Sequence, residues 1–275
     1  MGNKFEATLI NLTPILVSLL FGMFCAFLLL TSPVEIYEIT PFPESVAGAF
    51  GNAFYFVILV GVGATLIYLL LKRKSRKLIA WITGFALTTA VFMLSIIYIF
   101  AAFSRFAIPS MEVLTLTLSL FITALADYAI FRKHSKICDL VVLFLGGALG
   151  TFLGFSIPSL SAILILGFLA VYDVFAVYHG PVGKIARSGL DQLRGLSFSF
   201  KNIQMGLGDL TFYSMLSGSM LVNPDFGYIS CLASIIGILF GCLLAFKMLE
   251  RKGMFPGLPL PVLFGLTAGL LVSLI

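Results

Sequence analysis

Charged residues are scarce in this sequence. Only 11% of its 275 residues are Asp, Glu, Lys or Arg, whereas 60% are hydrophobic. A soluble domain usually contains about 25% charged residues. Apolar runs longer than about 18 residues recur along the chain, and this length is typical of membrane-spanning helices. The alternating segments of about 10 residues that form a membrane β-barrel are missing. The sequence therefore predicts an all-α membrane protein.

The sequence also has few of the residues that form metal sites or the active sites of serine hydrolases and zinc peptidases. The two histidines, His134 and His179, stand alone at span ends or in loops, and the four cysteines show no Cys-x-x-Cys or Cys/His spacing. We therefore expect no metal site and no cofactor. Neither Gly-x-Ser-x-Gly nor His-Glu-x-x-His occurs, so the sequence indicates neither a serine hydrolase nor a zinc peptidase. The net charge of +5 does not indicate a nucleic-acid partner, because the basic residues flank apolar runs.

The apolar runs predict nine spans. They cover about 9–30, 49–71, 78–103, 111–131, 140–155, 160–178, 203–221, 227–247 and 258–275. With the N-terminus in the cytoplasm, 16 of the 17 Lys and Arg residues lie on the cytoplasmic side, and only Arg105 lies outside. Basic residues favour cytoplasmic loops. We therefore predict a cytoplasmic N-terminus and a C-terminus on the outside.

Two aspartates interrupt the apolar runs at matching depths. Asp173 lies five residues before the end of span six, and Asp209 lies six residues after the predicted start of span seven. At about 1.5 Å per residue, each is roughly 8–9 Å from the cytoplasmic end of its helix. Acidic groups in membrane segments are costly and usually functional. Because the two helices are consecutive and antiparallel, their carboxyl groups can face each other.

Such a pair suggests more than one chemistry. Two adjacent carboxyl groups can share a proton, so that one activates water while the other polarises a substrate carbonyl, as peptide hydrolysis requires. A proton relay or cation pathway in a transporter or channel would use the same residues. A structural role in helix packing is the third alternative. The matching depths of the two aspartates do not distinguish between these three roles.

Three stretches resemble motifs of the presenilin and signal peptide peptidase family. Ala170-Val171-Tyr172-Asp173 resembles its Tyr-Asp motif, and Gly206-Leu207-Gly208-Asp209 resembles its Gly-x-Gly-Asp motif. Pro256-Gly257-Leu258-Pro259 is similar to its Pro-Ala-Leu motif, with glycine in place of the middle alanine. The motifs occur in the family's order, with flanks closer to presenilin. The resemblance covers the C-terminal half, and the first five spans match only in number and orientation.

The resemblance implies an intramembrane aspartyl endopeptidase that cuts single-span membrane proteins within their transmembrane helices. Asp173 and Asp209 would be its catalytic pair. The residues expected to bind substrate or border the site are Tyr172, Gly206, Leu207, Gly208, Pro256, Gly257 and Leu258. The chain then divides into a five-helix scaffold, 1–158, and the catalytic helices six to nine, 159–275.

The sequence also predicts where this protein is located and whether its chain is cleaved on maturation. We expect an integral multi-pass protein in the cell membrane of a microbe. The connection between spans six and seven lacks the long hydrophilic loop in which presenilins are cleaved on maturation, so we expect a single working chain. Accessory subunits and homo-oligomers both stay open.

Two smaller features allow alternatives. Leu196-Ser197-Phe198-Ser199-Phe200 alternates apolar and polar residues, which predicts a strand that could pair with an unwound substrate. The same residues could instead form a loop in the headgroup region. Gly206 and Gly208 could make room for a substrate backbone beside Asp209, or could be glycines of close helix packing. Tyr172 could shape the substrate cleft or serve ordinary packing.

Overall fold

The structure is a computed structural model, and it describes residues 7–106, 109–131, 136–180, 195–200, 203–223 and 226–274. Within these ranges the chain is almost wholly helical, as expected. The nine helices are α1 (Thr13–Leu30, after a 3-10 turn at Leu9–Leu12), α2 (Val46–Lys72), α3 (Arg76–Phe103), α4 (Met111–Phe131), α5 (Lys136–Ser156), α6 (Ser159–Tyr178), α7 (Leu207–Val222), α8 (Gly227–Lys252) and α9 (Pro259–Ser273). Two short strands, β1 (Ser197–Phe200) and β2 (Ile203–Gly206), precede α7.

Seven of these helices, α1 to α6 and α8, are long and apolar enough to cross a membrane. The other two are shorter, with 16 residues in α7 and 15 in α9. Many large apolar side chains on the long helices are exposed, such as Phe85, Ile58 and Ile236. Such a surface suits lipid rather than water. The chain is therefore an integral multi-pass membrane protein.

Helix α7 occupies the centre of the bundle. From Leu210 to Leu221, every residue except Phe212 is buried, because α5, α8 and α1 all pack against this helix. Its sequence contains small residues at many positions, which allow neighbouring backbones to approach closely in a membrane. A helix enclosed in this way is held by its neighbours on all sides, so its position is fixed along its length.

Glycines of α5 bring the α1, α5 and α7 backbones into direct contact. We call Gly146, Gly147, Gly150 and Gly154 the glycine seam. A Cβ on Gly150 would lie 2.1 Å from the Thr211 carbonyl oxygen of α7, and a Cβ on Gly147 would lie 2.4 Å from the Ser18 carbonyl oxygen of α1. No other residue fits at these distances. The seam therefore anchors the helix that carries Asp209.

The segment before α7 differs from its prediction in one respect. The predicted strand at 196–200 is confirmed as β1, which pairs with β2 in an antiparallel register that joins Ser197 to Gly206 and Phe200 to Ile203. The prediction that span seven begins at residue 203 is wrong, because 203–206 form β2. Residues Ile203, Gln204 and Met205 are alternately buried, exposed and buried, as in a half-buried strand. Their apolar character alone could not distinguish this strand from the start of a helix.

Candidate active site

Asp209 lies in the first turn of α7. Gly206 is the N-cap of the helix, so Asp209 is its third helical residue rather than the seventh residue of a longer span. Its Oδ2 atom would lie 3.9 Å from a Cβ on Gly206, so the carboxyl group lies beside the N-cap residue. A side chain that reaches back from this position to the N-cap is a capping-box arrangement. The positive end of the helix dipole also favours a negative group here, so the helix start both holds and orients the carboxyl group.

Asp173 lies near the C-terminal end of α6 and contacts the segment that precedes α9. The backbone N–H of Leu258 donates to Asp173 Oδ2 over 3.0 Å, and the backbone of Gly257 lies next to the same carboxyl group. This backbone donor fixes the orientation of the Asp173 side chain. The Pro256–Leu258 segment therefore positions one member of the predicted pair.

The second carboxyl group meets the same dipeptide. A Cβ on Gly257 would lie 2.9 Å from Asp209 Oδ2 and 3.2 Å from Asp209 Oδ1. The carboxyl groups of Asp173 and Asp209 are close enough to interact electrostatically, and both residues are half-buried. The structure thus brings together the two aspartates and the Pro-Gly-Leu segment that the sequence predicted as neighbours.

Tyr213 is a site residue that the sequence reasoning missed. It lies one helical turn after Asp209, and its side chain is among the largest that are fully buried. Its hydroxyl group donates a hydrogen bond to the Gly257 carbonyl oxygen over 2.8 Å. The Gly257-Leu258 dipeptide is therefore held by Asp173 at the Leu258 N–H and by Tyr213 at the Gly257 carbonyl oxygen. The sequence feature that could have indicated Tyr213 is its spacing of four residues from Asp209, which places both side chains on one helix face.

The two glycines beside Asp209 face open space. The atom nearest to a Cβ on Gly206 would be Asp209 Oδ2 at 3.9 Å, and the atom nearest to a Cβ on Gly208 would be Phe212 Cε2 at 3.8 Å. Gly208 is exposed. Neither glycine is used for close helix packing among the described residues. The open space next to the carboxyl group suits a substrate backbone.

The other predicted substrate residues have different surroundings. Pro256, Leu207 and Leu258 have buried side chains, so they can influence the site through position rather than through exposed surface. Tyr172 is partly exposed and lines a cavity of about 740 Å³ between α2, α6 and α9. Its hydroxyl oxygen would lie 3.4 Å from a Cβ on Gly61 of α2. Tyr172 therefore borders an apolar cleft beside Asp173.

Within the described ranges, no three His, Cys, Asp or Glu side chains come together in a group that could hold a metal ion. The arrangement offers two carboxyl groups, a tyrosine hydroxyl that is already bonded, and backbone groups. Two neighbouring carboxyl groups can act as general acid and general base toward water and a carbonyl substrate.

Comparison with protein families gives one match that covers most of the chain. Residues 16–192 match the family described as signal-peptide peptidase, presenilin aspartyl protease. This range contains Asp173 and ends before Asp209. The expectation that the resemblance covers only the C-terminal half was wrong, because the match includes the first five spans.

Two solved structures resemble this chain along its whole length. Both are described as a presenilin family intramembrane aspartate protease, one in the C222 space group and one in the P2 space group. The first has a TM-score of 0.69 at 18% identity and covers 97% of this chain and 99% of that one. The second has a TM-score of 0.66 at 20% identity and covers 95% of each chain. The likeness shows a shared fold.

Proposed function

This chain belongs to the signal-peptide peptidase and presenilin aspartyl protease family and is an intramembrane aspartic protease, and we propose that Asp173 and Asp209 are its catalytic pair. The observation that carries this proposal is their meeting at Gly257-Leu258, where Asp173 accepts the Leu258 N–H over 3.0 Å and Asp209 touches Gly257. Membership of a protease family also decides against the transporter or channel considered as the alternative.

The pair would hydrolyse a peptide bond by acid–base catalysis. One carboxylate takes a proton from water while the water oxygen attacks the peptide carbonyl, and the other carboxyl group, protonated, donates its proton to the carbonyl oxygen. The resulting diol then collapses: one diol hydroxyl gives its proton to the carboxylate, the carbon–nitrogen bond breaks, and the leaving nitrogen takes a proton from the other carboxyl group, which restores a pair with one proton. Two carboxyl groups with one shared proton supply both functions. Water must therefore reach this end of the bundle.

Separate Asp173→Asn and Asp209→Asn variants test the pair. Each should lower the cleavage of a single-span substrate in proteoliposomes by at least about 10³-fold, because an amide cannot exchange the proton. Asp127→Asn is a matched control, since Asp127 is also a carboxyl group within a helix, where it accepts the Thr88 hydroxyl at 2.9 and 3.0 Å. The control should cleave normally. Normal cleavage by either of the first two variants would end the proposal.

A substrate helix hides its amides in its own hydrogen bonds, so it must unwind before cleavage. The sequence suggested the strand at 196–200 for pairing with this segment, whereas we now assign the unwound segment to the outer edge of its partner strand, β2. The Leu207 N–H donates to the Leu196 carbonyl oxygen. Because hydrogen-bonded pairs alternate along an antiparallel ladder, the pairs joined by hydrogen bonds are 196 with 207, 198 with 205 and 200 with 203. The backbone groups of Ser199 and Gln204 therefore point away from the hairpin on its opposite edges.

The two edges are not equivalent. On β1, the Ser199 N–H is already bonded to Asp139 Oδ1 of α5 over 3.1 Å. On β2, Gln204 is exposed and lies two residues before Gly206, which lies beside the Asp209 carboxyl group. A substrate strand added at β2 would bring its backbone directly to the carboxyl pair.

Proline substitutions distinguish these edges. A proline removes the outward N–H group of the strand in which it stands and leaves the backbone groups of the other strand in place. Gln204→Pro should abolish most cleavage while the protein still folds, and Ser199→Pro should cleave at a near-normal rate. The opposite ranking, or equal rates, would contradict pairing at β2. Thermal unfolding of both variants in detergent checks that the fold is retained.

We further propose that all nine helices cross the membrane, with the N-terminus in the cytoplasm and the C-terminus outside. The distribution of basic residues supports this orientation, and it places the carboxyl pair near the cytoplasmic side. Residues 1–158 would act as the scaffold and 159–275 as the catalytic part, in the cell membrane of a microbe. Reporter fusions at residues 37 and 254 test the orientation, which predicts an outside reporter at 37 and a cytoplasmic one at 254.

A further inference from the structure

A second cavity lies away from the aspartates, between α1, α3, α4 and α5. Its volume is about 590 Å³, within the range of small-molecule sites. Several residues that line it are also exposed on the bundle surface, with 55% of Phe24, 53% of Leu125 and 36% of Phe144 accessible. The cavity is therefore a groove that opens sideways on the lipid-facing surface.

The lining of this groove is almost wholly apolar, and Ser95, Tyr98 and Tyr128 carry its few hydroxyl groups. The Tyr98 hydroxyl, its largest buried polar group, donates to the Ala148 carbonyl oxygen over 2.7 Å and is also hydrogen-bonded to Cys25. A water molecule needs two to four polar partners, and an empty groove would forfeit dispersion contacts along its walls. In a chain that crosses the bilayer, the substance continuous with such a groove is lipid. The shape and lining of the groove therefore suit an acyl chain.

One end of the groove carries a cation. The Arg105 guanidinium group lies 5.6 Å from the centre of the Phe27 ring, and Phe27 is one helical turn from Phe24 and next to Leu28, both in the lining. Arg105 follows the end of α3, one to two turns beyond Ile99 of the lining. This is the end of the bundle opposite Asp173 and Asp209. It is also the side on which Arg105 is the single basic residue in the proposed orientation.

We propose that this groove is a phospholipid site, with one acyl chain between α1, α3, α4 and α5 and the phosphate group on Arg105. A guanidinium group binds phosphate oxygens in pairs, and its contact with Phe27 holds it near the end of the groove that Phe24 and Leu28 line. An acyl chain there fills the space between the α3–α4 hairpin and the α1–α5 part of the scaffold. The proposal does not depend on the catalytic assignment.

Photoreactive lipids test the site in the full-length protein in nanodiscs. The first probe is a phosphatidylglycerol with a diazirine in the middle of one acyl chain, and the second is the matching diacylglycerol, which lacks phosphate. Labelling by the first probe should concentrate on the α3, α4 and α5 peptides that line the groove. It should exceed labelling by the second by about tenfold, as expected for loss of a charge-assisted contact.

Two variants and a control complete the test. Arg105→Gln should make the two probes label equally, and Leu125→Trp, at an exposed position of the lining, should reduce labelling by both. Arg251→Gln, at the far end of α8, should label as the unaltered protein does. Equal labelling of all lipid-facing helices, or the same preference for the phosphate probe in Arg105→Gln, would overturn the proposal.

Discussion

Glycine serves opposite purposes in two regions of this protein. In the glycine seam, α5 approaches α1 and α7 so closely that a Cβ on Gly150 would lie 2.1 Å from the Thr211 carbonyl oxygen. Beside the carboxyl pair, Gly208 has no atom within 3.8 Å of where its Cβ would be, apart from its own chain neighbours. The first region uses glycine to remove space between helices, and the second uses it to keep space free.

This difference indicates how a helix bundle surrounded by lipid can hold its active-site residues in fixed positions. Membrane helices gain little from hydrophobic association, so close packing of small residues has to fix their positions. The seam fixes α7 against the scaffold, and the first turn of α7 then presents Asp209 to a free space. Substitutions in the seam should therefore act on stability, and substitutions near the pair should act on catalysis.

The largest effect should come from the seam. Gly150→Ala forces a methyl group against the backbone of α7, which cannot move without separating the helices. We expect the free energy of unfolding to fall by about 3 kcal/mol or more, with loss of folded protein and of activity. Gly63→Ala in α2 is the control, because nothing lies within 4 Å of its Cβ position. Thermal unfolding in detergent measures both, and an unfolding temperature for Gly150→Ala equal to that of the control would contradict the role of the seam.

Gly208→Ala should have the opposite profile. The helix can accept alanine here, and its intrinsic propensity favours alanine over glycine by up to about 1 kcal/mol. A methyl group would nevertheless occupy the free space beside Asp209, so we expect cleavage to fall about tenfold while stability stays equal or rises. Steady-state kinetics with a single-span substrate, combined with thermal unfolding, distinguishes the two effects. Unchanged cleavage would mean that the substrate backbone does not approach Gly208.

Tyr213→Phe should have an intermediate effect on catalysis. The variant loses only the hydroxyl group that donates to the Gly257 carbonyl oxygen, and the segment that holds Asp173 becomes less fixed. We expect about a fivefold fall in the cleavage rate, consistent with the loss of a buried hydrogen bond worth about 1 kcal/mol. Ser18→Ala is the matched control, because its hydroxyl also donates to a carbonyl oxygen, that of Leu143, but far from the pair. Equal rates in the two variants would show that Tyr213 serves stability alone.

The same contrast explains which features the sequence could predict. The scarcity of charge predicted a helical membrane protein, and the ordered motifs predicted the pairing of Asp173, Asp209 and the Pro256–Leu258 segment, which the structure brings together. The start of α7 was misplaced, because an apolar strand and an apolar helix have the same composition over four residues. Contacts between distant parts of the chain, such as Tyr213 with Gly257 or Asp139 with Ser199, have no periodic signature and required the structure.

The smallest effect is expected at Gly257, where this chain departs from the Pro-Ala-Leu motif that it resembles. A Cβ at this position would lie 2.9 Å from Asp209 Oδ2, so Gly257→Ala must displace the carboxyl group by a few tenths of an ångström. The contact is with the end of a side chain, which can rotate, and not with a fixed backbone as in the seam. We therefore expect a two- to threefold fall in the cleavage rate with little change in stability, since small shifts of reacting groups lower rates before they affect folding. A rate equal to or above that of the unaltered protein would show that Asp209 has room to accept alanine, and that glycine at this position serves flexibility of the segment instead.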